Sequence, residues 1–171
     1  MRVPGLELCF EHLVPNRPGR LKDFDYIGHH SYFITICTDQ RVAAFADIEF
    51  GRWAISQLLT QAEVRGFEIT AYCLMPDHVH LLIRGRRQDA DLKRFIISWN
   101  TRVAYRWRRH HRTAMWQKGY YDRVLRKGDD FFGMARYILR NPVEAGLVEK
   151  AEDYPLSGTS GYSIEELLYE K

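Results

Sequence analysis

At 171 residues, 46% of them apolar, the chain is long enough to bury the core of one domain, and general disorder is excluded. No apolar run reaches membrane-spanning length, so a membrane partner is not expected. The net charge of +3 conceals an uneven distribution: eight Lys or Arg and no acid between Leu92 and Tyr121, against seven acids and two bases from Glu144 to Lys171.

A basic block followed by an acidic tail fits a polyanion partner, with nucleic acid the commonest. It equally fits a solvated helix face neutralised by the tail. The three cysteines, Cys9, Cys37 and Cys73, are an odd number without paired spacing. The N-terminus carries no signal-peptide apolar region, so a reducing cytoplasm is the expected compartment.

Residues 1–30 hold Pro4, Pro15, Pro18, Gly5, Gly19 and Gly28 and read as an irregular leader. Arg17, Arg20 and Lys22 there are phosphate contacts or simply solvated. Ser31 to Thr38 is β-branched and aromatic, a strand. Asp47 to about Arg65 repeats apolar residues at Ile48, Trp53, Ile55, Leu58, Leu59 and Ala62, an amphipathic helix stopped by Gly66. Two strands follow, about 67–74 and 78–84, joined by Met75-Pro76-Asp77.

Asp91 caps a helix expected to run to about Arg112, with Phe95, Ile96, Trp99, Val103 and Trp107 as its core stripe. Tyr121 to Arg126 is a short strand. Asp129 or Asp130 caps a third helix, and Pro142 is expected to end it close to Asn141. Beyond Gly146 come short apolar pieces and turns, then a last helical turn or two from Ser163. The first six elements make a β-α-β-β-α-β unit: an α+β, ferredoxin-like antiparallel sheet with helices on one face and one additional C-terminal helix.

The chemistry starts at His78-Val79-His80. Side chains alternate along a strand, so the two imidazoles share a face, with Val79 and Leu81 on the other. An imidazole pair is half of a metal site; equally, it is a common pair of half-exposed strand histidines. Neutral imidazoles suit Zn, Mn, Co or Ni better than Mg. In Arg136-Tyr-Ile-Leu-Arg-Asn-Pro142, Tyr137 and Asn141 lie four apart and share a helix face. An Asn141 amide oxygen could add a hard ligand. For a lone helical Tyr, plain packing is the ordinary role.

Together, Leu-Met-Pro-Asp-His-Val-His-Leu-Leu at 74–82 and Ala-Arg-Tyr-Ile-Leu-Arg-Asn-Pro-Val-Glu-Ala-Gly-Leu-Val at 135–148 resemble the HUH single-strand transposases of the Y1 type. The closer resemblance is to the branch associated with repetitive extragenic palindromes. It spans roughly Ser31 to Val148 and divides the chain into a leader (1–30), a catalytic domain (31–148) and an acidic tail (149–171) packed on or near it. The resemblance implies that His78 and His80 bind a divalent metal, Mg or Mn, with Asn141 as third ligand, and that Tyr137 is the nucleophile. The implied reaction is cleavage and transfer of single-stranded DNA at hairpin sequences through a 5′-phosphotyrosine.

Candidate DNA contacts are Arg94, Arg102, Arg106, Arg109 and Arg112 for phosphates, with Trp116, Tyr120 and Tyr121 stacking on bases. Tyr120 and Tyr121 are also rival nucleophiles, discounted because no ligand stands one turn away. Besides a structural domain with decorative histidines, which leaves the paired motifs unexplained, two other readings compete. Histidine-triad nucleotide hydrolases need a third alternating His, where this chain has Leu82. The other is a non-catalytic single-stranded nucleic-acid-binding module on the same fold. Whether the protein is a monomer or a homodimer is left open by the sequence.

Overall fold

The computed structural model describes residues 23–169. The elements are β1 (Ser31–Cys37), α1 (Ile48–Arg65), β2 (Phe67–Met75), β3 (His78–Gly85), α2 (Leu92–Arg108), β4 (Tyr121–Leu125), α3 (Phe131–Glu144), β5 (Ser157–Thr159) and α4 (Ile164–Tyr169). The strands form one sheet in the order β4-β1-β3-β2-β5, all neighbours antiparallel. Its first four strands with α1 and α2 reproduce the expected β-α-β-β-α-β unit. β5 extends it at the outer edge of β2.

Local chemistry sets the boundaries. Asp47, Asp91 and Asp130 cap α1, α2 and α3, their carboxylates accepting from the N–H groups of Phe50, Arg94 and Gly133. Gly66 ends α1 at φ = 72°, a left-handed conformation that glycine takes without steric cost.

Two expectations are corrected. α2 stops at Arg108, so Arg109 and Arg112 stand past its end. α3 runs through Pro142 to Glu144. Proline's missing N–H costs the helix one bond, but the Ala145 N–H still reaches the Asn141 carbonyl (2.9 Å) and closes the last turn. As expected, α1 and α2 share one face of the sheet, and the additional helix α3 lies on the other.

Pairing register sorts the side chains. Phe33, Thr35 and Cys37 of β1 stand opposite Leu82, His80 and His78 of β3, and Tyr121 of β4 stands opposite Thr35. These residues share the face on which α3 lies, where the Tyr137 ring meets Phe33. Val79, Leu81 and Ile83 point the other way. On that second face the Phe95 ring of α2 packs on Phe67 of β2 (centroids 5.0 Å), and Trp99 Nε1 donates to the Ala54 carbonyl of α1 (2.9 Å). A bulge between Ile69 and Ala71 reverses the alternation along β2. Thus α1 and α2 cover one side and α3 the other, with Trp99, Phe95, Ile34, Leu58 and Leu81 among the fully buried residues.

Of the expected leader, residues 1–22 lie outside the described part. Tyr26 is buried, and the Gly28 N–H donates to the Ala90 carbonyl (3.0 Å), so the leader's end is stitched to the α2 entry. The acidic C-terminal region docks on the domain. The Tyr154 hydroxyl donates to the Leu74 carbonyl (2.8 Å), and α4 buries Leu167 and Leu168 beside α3. No helix among the described residues is long and apolar enough to cross a membrane.

Candidate active site

The turn between β2 and β3 is pinned from three sides. The Asp77 carbonyl accepts from the Thr38 backbone N–H (3.0 Å) and hydroxyl (2.9 Å), and the Pro76 carbonyl accepts from the Phe45 N–H (3.0 Å). β3 leaves this turn with His78 and His80 on the α3 face, each 2% exposed. Their Nε2 atoms converge to 3.1 Å.

Each ring is held from behind. His78 Nδ1 donates to the Asp77 carboxylate (2.6 Å), and His80 Nδ1 meets the Thr35 hydroxyl (2.9 Å). The carboxylate at His78 Nδ1 favours the tautomer with its proton there, the device found behind metal-binding imidazoles, and the Thr35 hydroxyl, able to donate or accept, orients the His80 ring. Arg41 Nε lies 3.5 Å from the other Asp77 oxygen. Gln40 and Arg41 take left-handed φ values of 50° and 57°, strain that costs about 1–3 kcal/mol per residue.

Burial, then the charges of His78 and Arg41, holds His80 well below the usual imidazole range. Burial alone would raise the Asp77 pKa. The hydrogen bond and charge of His78, with Arg41, outweigh it and leave the carboxyl below its ordinary value.

From the opposite layer α3 brings Tyr137 and Asn141. The half-buried Tyr137 ring stands 5.7 Å from the His80 ring, edge to face at 65°, and 6.1 Å from Phe33. One turn on, Asn141 is fully buried, and its Nδ2 donates to the Tyr137 carbonyl (2.9 Å). Its Oδ1 is buried without a hydrogen-bond partner, an arrangement costing about 1–3 kcal/mol unless something unseen satisfies it.

A divalent cation fits these residues. Two nitrogens each about 2.1 Å from one ion at a right angle would stand roughly 3 Å apart. Among the described residues no set of three His, Cys, Asp or Glu is grouped for a metal, so an oxygen beyond that class is needed. Asn141 Oδ1, on the helix that faces the histidines, is one buried oxygen without a partner.

Beside Tyr137, away from the turn, opens a cleft of about 280 Å³ lined by Phe33, Tyr121, Arg123, Asp130, Gly133, Met134 and Tyr137. Tyr121, expected as a DNA contact, therefore lies next to Tyr137, its ring 6.5 Å from Phe33. Burial raises its pKa.

The expected arginines lie elsewhere. α2 is on the far side of the sheet. Arg94 pairs with Asp91 (3.4 Å) and Arg106 lies over the Trp53 ring (4.5 Å), while Arg102, Arg109 and Arg112 are exposed. Trp116, expected to stack on bases, instead packs against Trp99 and Phe45 and donates to the Asn100 carbonyl. Thr35, Arg41, Arg123 and Met134 were not foreseen. Asp77 was visible only as a turn residue beside His78.

The ferredoxin-like sheet, with its buried imidazole pair faced by a tyrosine from a separate helix, has the features that the sequence resemblance to the tyrosine transposases implies. The family described as "Transposase IS200 like" matches residues 27–139, and the chain belongs to it, a family of DNA-cleaving strand transferases. It is 26% identical to a candidate REP-associated tyrosine transposase of Haemophilus influenzae, over 78% of this chain and 81% of that one. It is 24% identical to a REP-associated tyrosine transposase of Escherichia coli K12, over 77% and 78%. A solved REP-associated tyrosine transposase bound to a REP hairpin superposes with a TM-score of 0.66 at 22% identity, over 80% of each chain.

Proposed function

We propose that this chain cuts and rejoins single-stranded DNA beside a hairpin through a 5′-phosphotyrosine on Tyr137, with His78, His80 and Asn141 holding a divalent cation, Mg or Mn. The observation that carries the reading is the placement of the Tyr137 ring 5.7 Å from His80, itself 3.1 Å from His78 between their Nε2 atoms. When bound, the cation neutralises phosphate charge and polarises phosphorus.

The chain's own residues do the rest. Asp77 and Thr35 hold the two imidazoles in place from behind, at Nδ1. Tyr137 supplies the oxygen that forms the new O–P bond as the P–O3′ bond breaks. The phenolic proton leaves to solvent and the departing 3′ oxygen takes one up, so a free 3′-hydroxyl is released. One phosphodiester replaces another, and no nucleotide triphosphate is consumed. Rejoining is the reverse attack by a 3′-hydroxyl. The hairpin substrate is inferred from the relative solved with a REP hairpin.

The test is incubation with a pool of hairpin-bearing single-stranded oligonucleotides and Mn, followed by a denaturing gel. A covalent adduct that disappears in Tyr137→Phe is the expected result. Tight binding with no adduct from the unaltered protein under either metal would instead mean a non-catalytic binding module.

A further inference from the structure

Building on that reading, we infer that the cleft beside Tyr137 is a specificity pocket for one unpaired nucleobase, belonging to the nucleotide whose 5′-phosphate Tyr137 attacks. The cleft is walled by three aromatic rings, Phe33, Tyr121 and Tyr137, with Met134 beside them. Aromatic and thioether surfaces grip the flat face of a base, the way single-strand binders gain affinity. About 280 Å³ sits at the small end of ligand pockets and admits one base, not a base pair.

The pocket is continuous with the chemistry because Tyr137 forms its wall. In-line attack sends the departing 3′ oxygen to the side of phosphorus opposite Tyr137. The upstream nucleotide is therefore carried away from the cleft. The nucleotide that stays bonded to the phosphotyrosine is the one whose base can reach it. A seated base would also hold the covalent intermediate in place for the returning 3′-hydroxyl.

Two charged groups among the lining residues supply discrimination. Arg123 can only donate, and its guanidinium is braced by Asp129 (2.6 Å). Asp130 can only accept. Its Oδ1 is occupied by the Gly133 N–H (2.7 Å), and its Oδ2 has only a distant ion pair with Arg136 (3.8 Å). A cytosine, adenine or guanine, each carrying an exocyclic amine, gives Asp130 a donor; thymine offers only its ring N–H. The glycine at 133 belongs to this design, since a Cβ there would collide with the Asp130 carboxylate.

The experiment first maps the cleavage position of the unaltered protein on the hairpin pool with Mn. The nucleotides on either side of the scissile phosphate are then replaced in turn by an abasic residue and by each base. An abasic residue on the 3′ side should slow adduct formation about tenfold to a hundredfold, and one on the 5′ side much less. Asp130→Asn keeps the helix cap, because asparagine caps as well as aspartate, but adds a donor. It should reduce the preference for amine-bearing bases at that position, and Phe33→Leu should lessen the abasic penalty. Equal rates for abasic and intact 3′ nucleotides, or an unchanged base ranking in Asp130→Asn, would overturn the pocket while leaving the transposase reading intact. Absence of any adduct would remove both.

Discussion

At the scale of single residues, the site is a set of side chains each oriented by a neighbour. The imidazole pair was legible in the sequence because strand alternation needs no tertiary information. Thr35 was not, because only the β1–β3 register places it behind His80. Two predictions belong here. Asn141→Ala removes Oδ1, and the Kd for Mn measured by calorimetry should rise about tenfold to a hundredfold, with Thr35→Val showing a smaller rise. A Kd within twofold in Asn141→Ala would mean that Asn141 only anchors the Tyr137 turn. The second concerns alkaline pH. Burial raises the pKa of the Cys73 thiol and of the Tyr154 phenol above their ordinary values of 9.0 and 10.0. The native state keeps these protons while the unfolded chain releases them. Their stabilising contribution is therefore whole below about pH 9 and is lost as pH rises above it. Thermal unfolding followed from pH 7 to 11 should show Tm falling above pH 9, and less steeply in Cys73→Val.

At the scale of elements, the six-element core could be read from sequence because each piece carries its own signal: β-branched runs for strands, apolar periodicity for α1 and α2, an aspartate at each helix start. What could not be read depends on partners distant in the chain. β5 is Ser-Gly-Thr, with no apolar signal, and exists only because β2 offers an edge. The side on which α3 docks follows from its contacts with the histidine face, and its passage through Pro142 is supported by the turn beyond it. α3 is held from outside by α4, whose start is a reciprocal cap: the Ser163 N–H donates to the Glu166 carboxylate (2.6 Å) and the Glu166 N–H to the Ser163 hydroxyl (3.1 Å). Leu167, 3% exposed, is the main apolar anchor beside Leu168. Leu167→Ala should lower stability by about 2–4 kcal/mol in urea titration and raise hydrogen exchange in α3. Protection of α3 equal to that of the unaltered protein would show that the acidic region does not steady the tyrosine helix.

At the scale of the whole molecule, the basic block around α2 and the chemistry occupy opposite sides of the sheet. Arg102, Arg109 and Arg112 sit on the α1–α2 side, and the histidine pair, Tyr137 and the cleft on the other. A strand crossing the active site cannot also touch those arginines through a sheet and its helices. If the arginines bind phosphates, they bind a different part of the DNA, such as a stem that wraps round the domain edge. The prediction is consequently length-dependent. In Arg102→Gln/Arg109→Gln/Arg112→Gln the Kd for a hairpin with a long stem should rise, and the slope of log affinity against log salt should become shallower by about 2 to 3, near one unit per lost duplex phosphate contact. The change should shrink as the stem is shortened, because fewer phosphates reach the far side. Arg94 and Arg106 make the internal comparison: tied to Asp91 and laid over Trp53, their replacement should alter stability more than the salt slope. A slope unchanged in the triple variant on the longest stem would confine DNA to the histidine face and leave the basic block as a solvated surface.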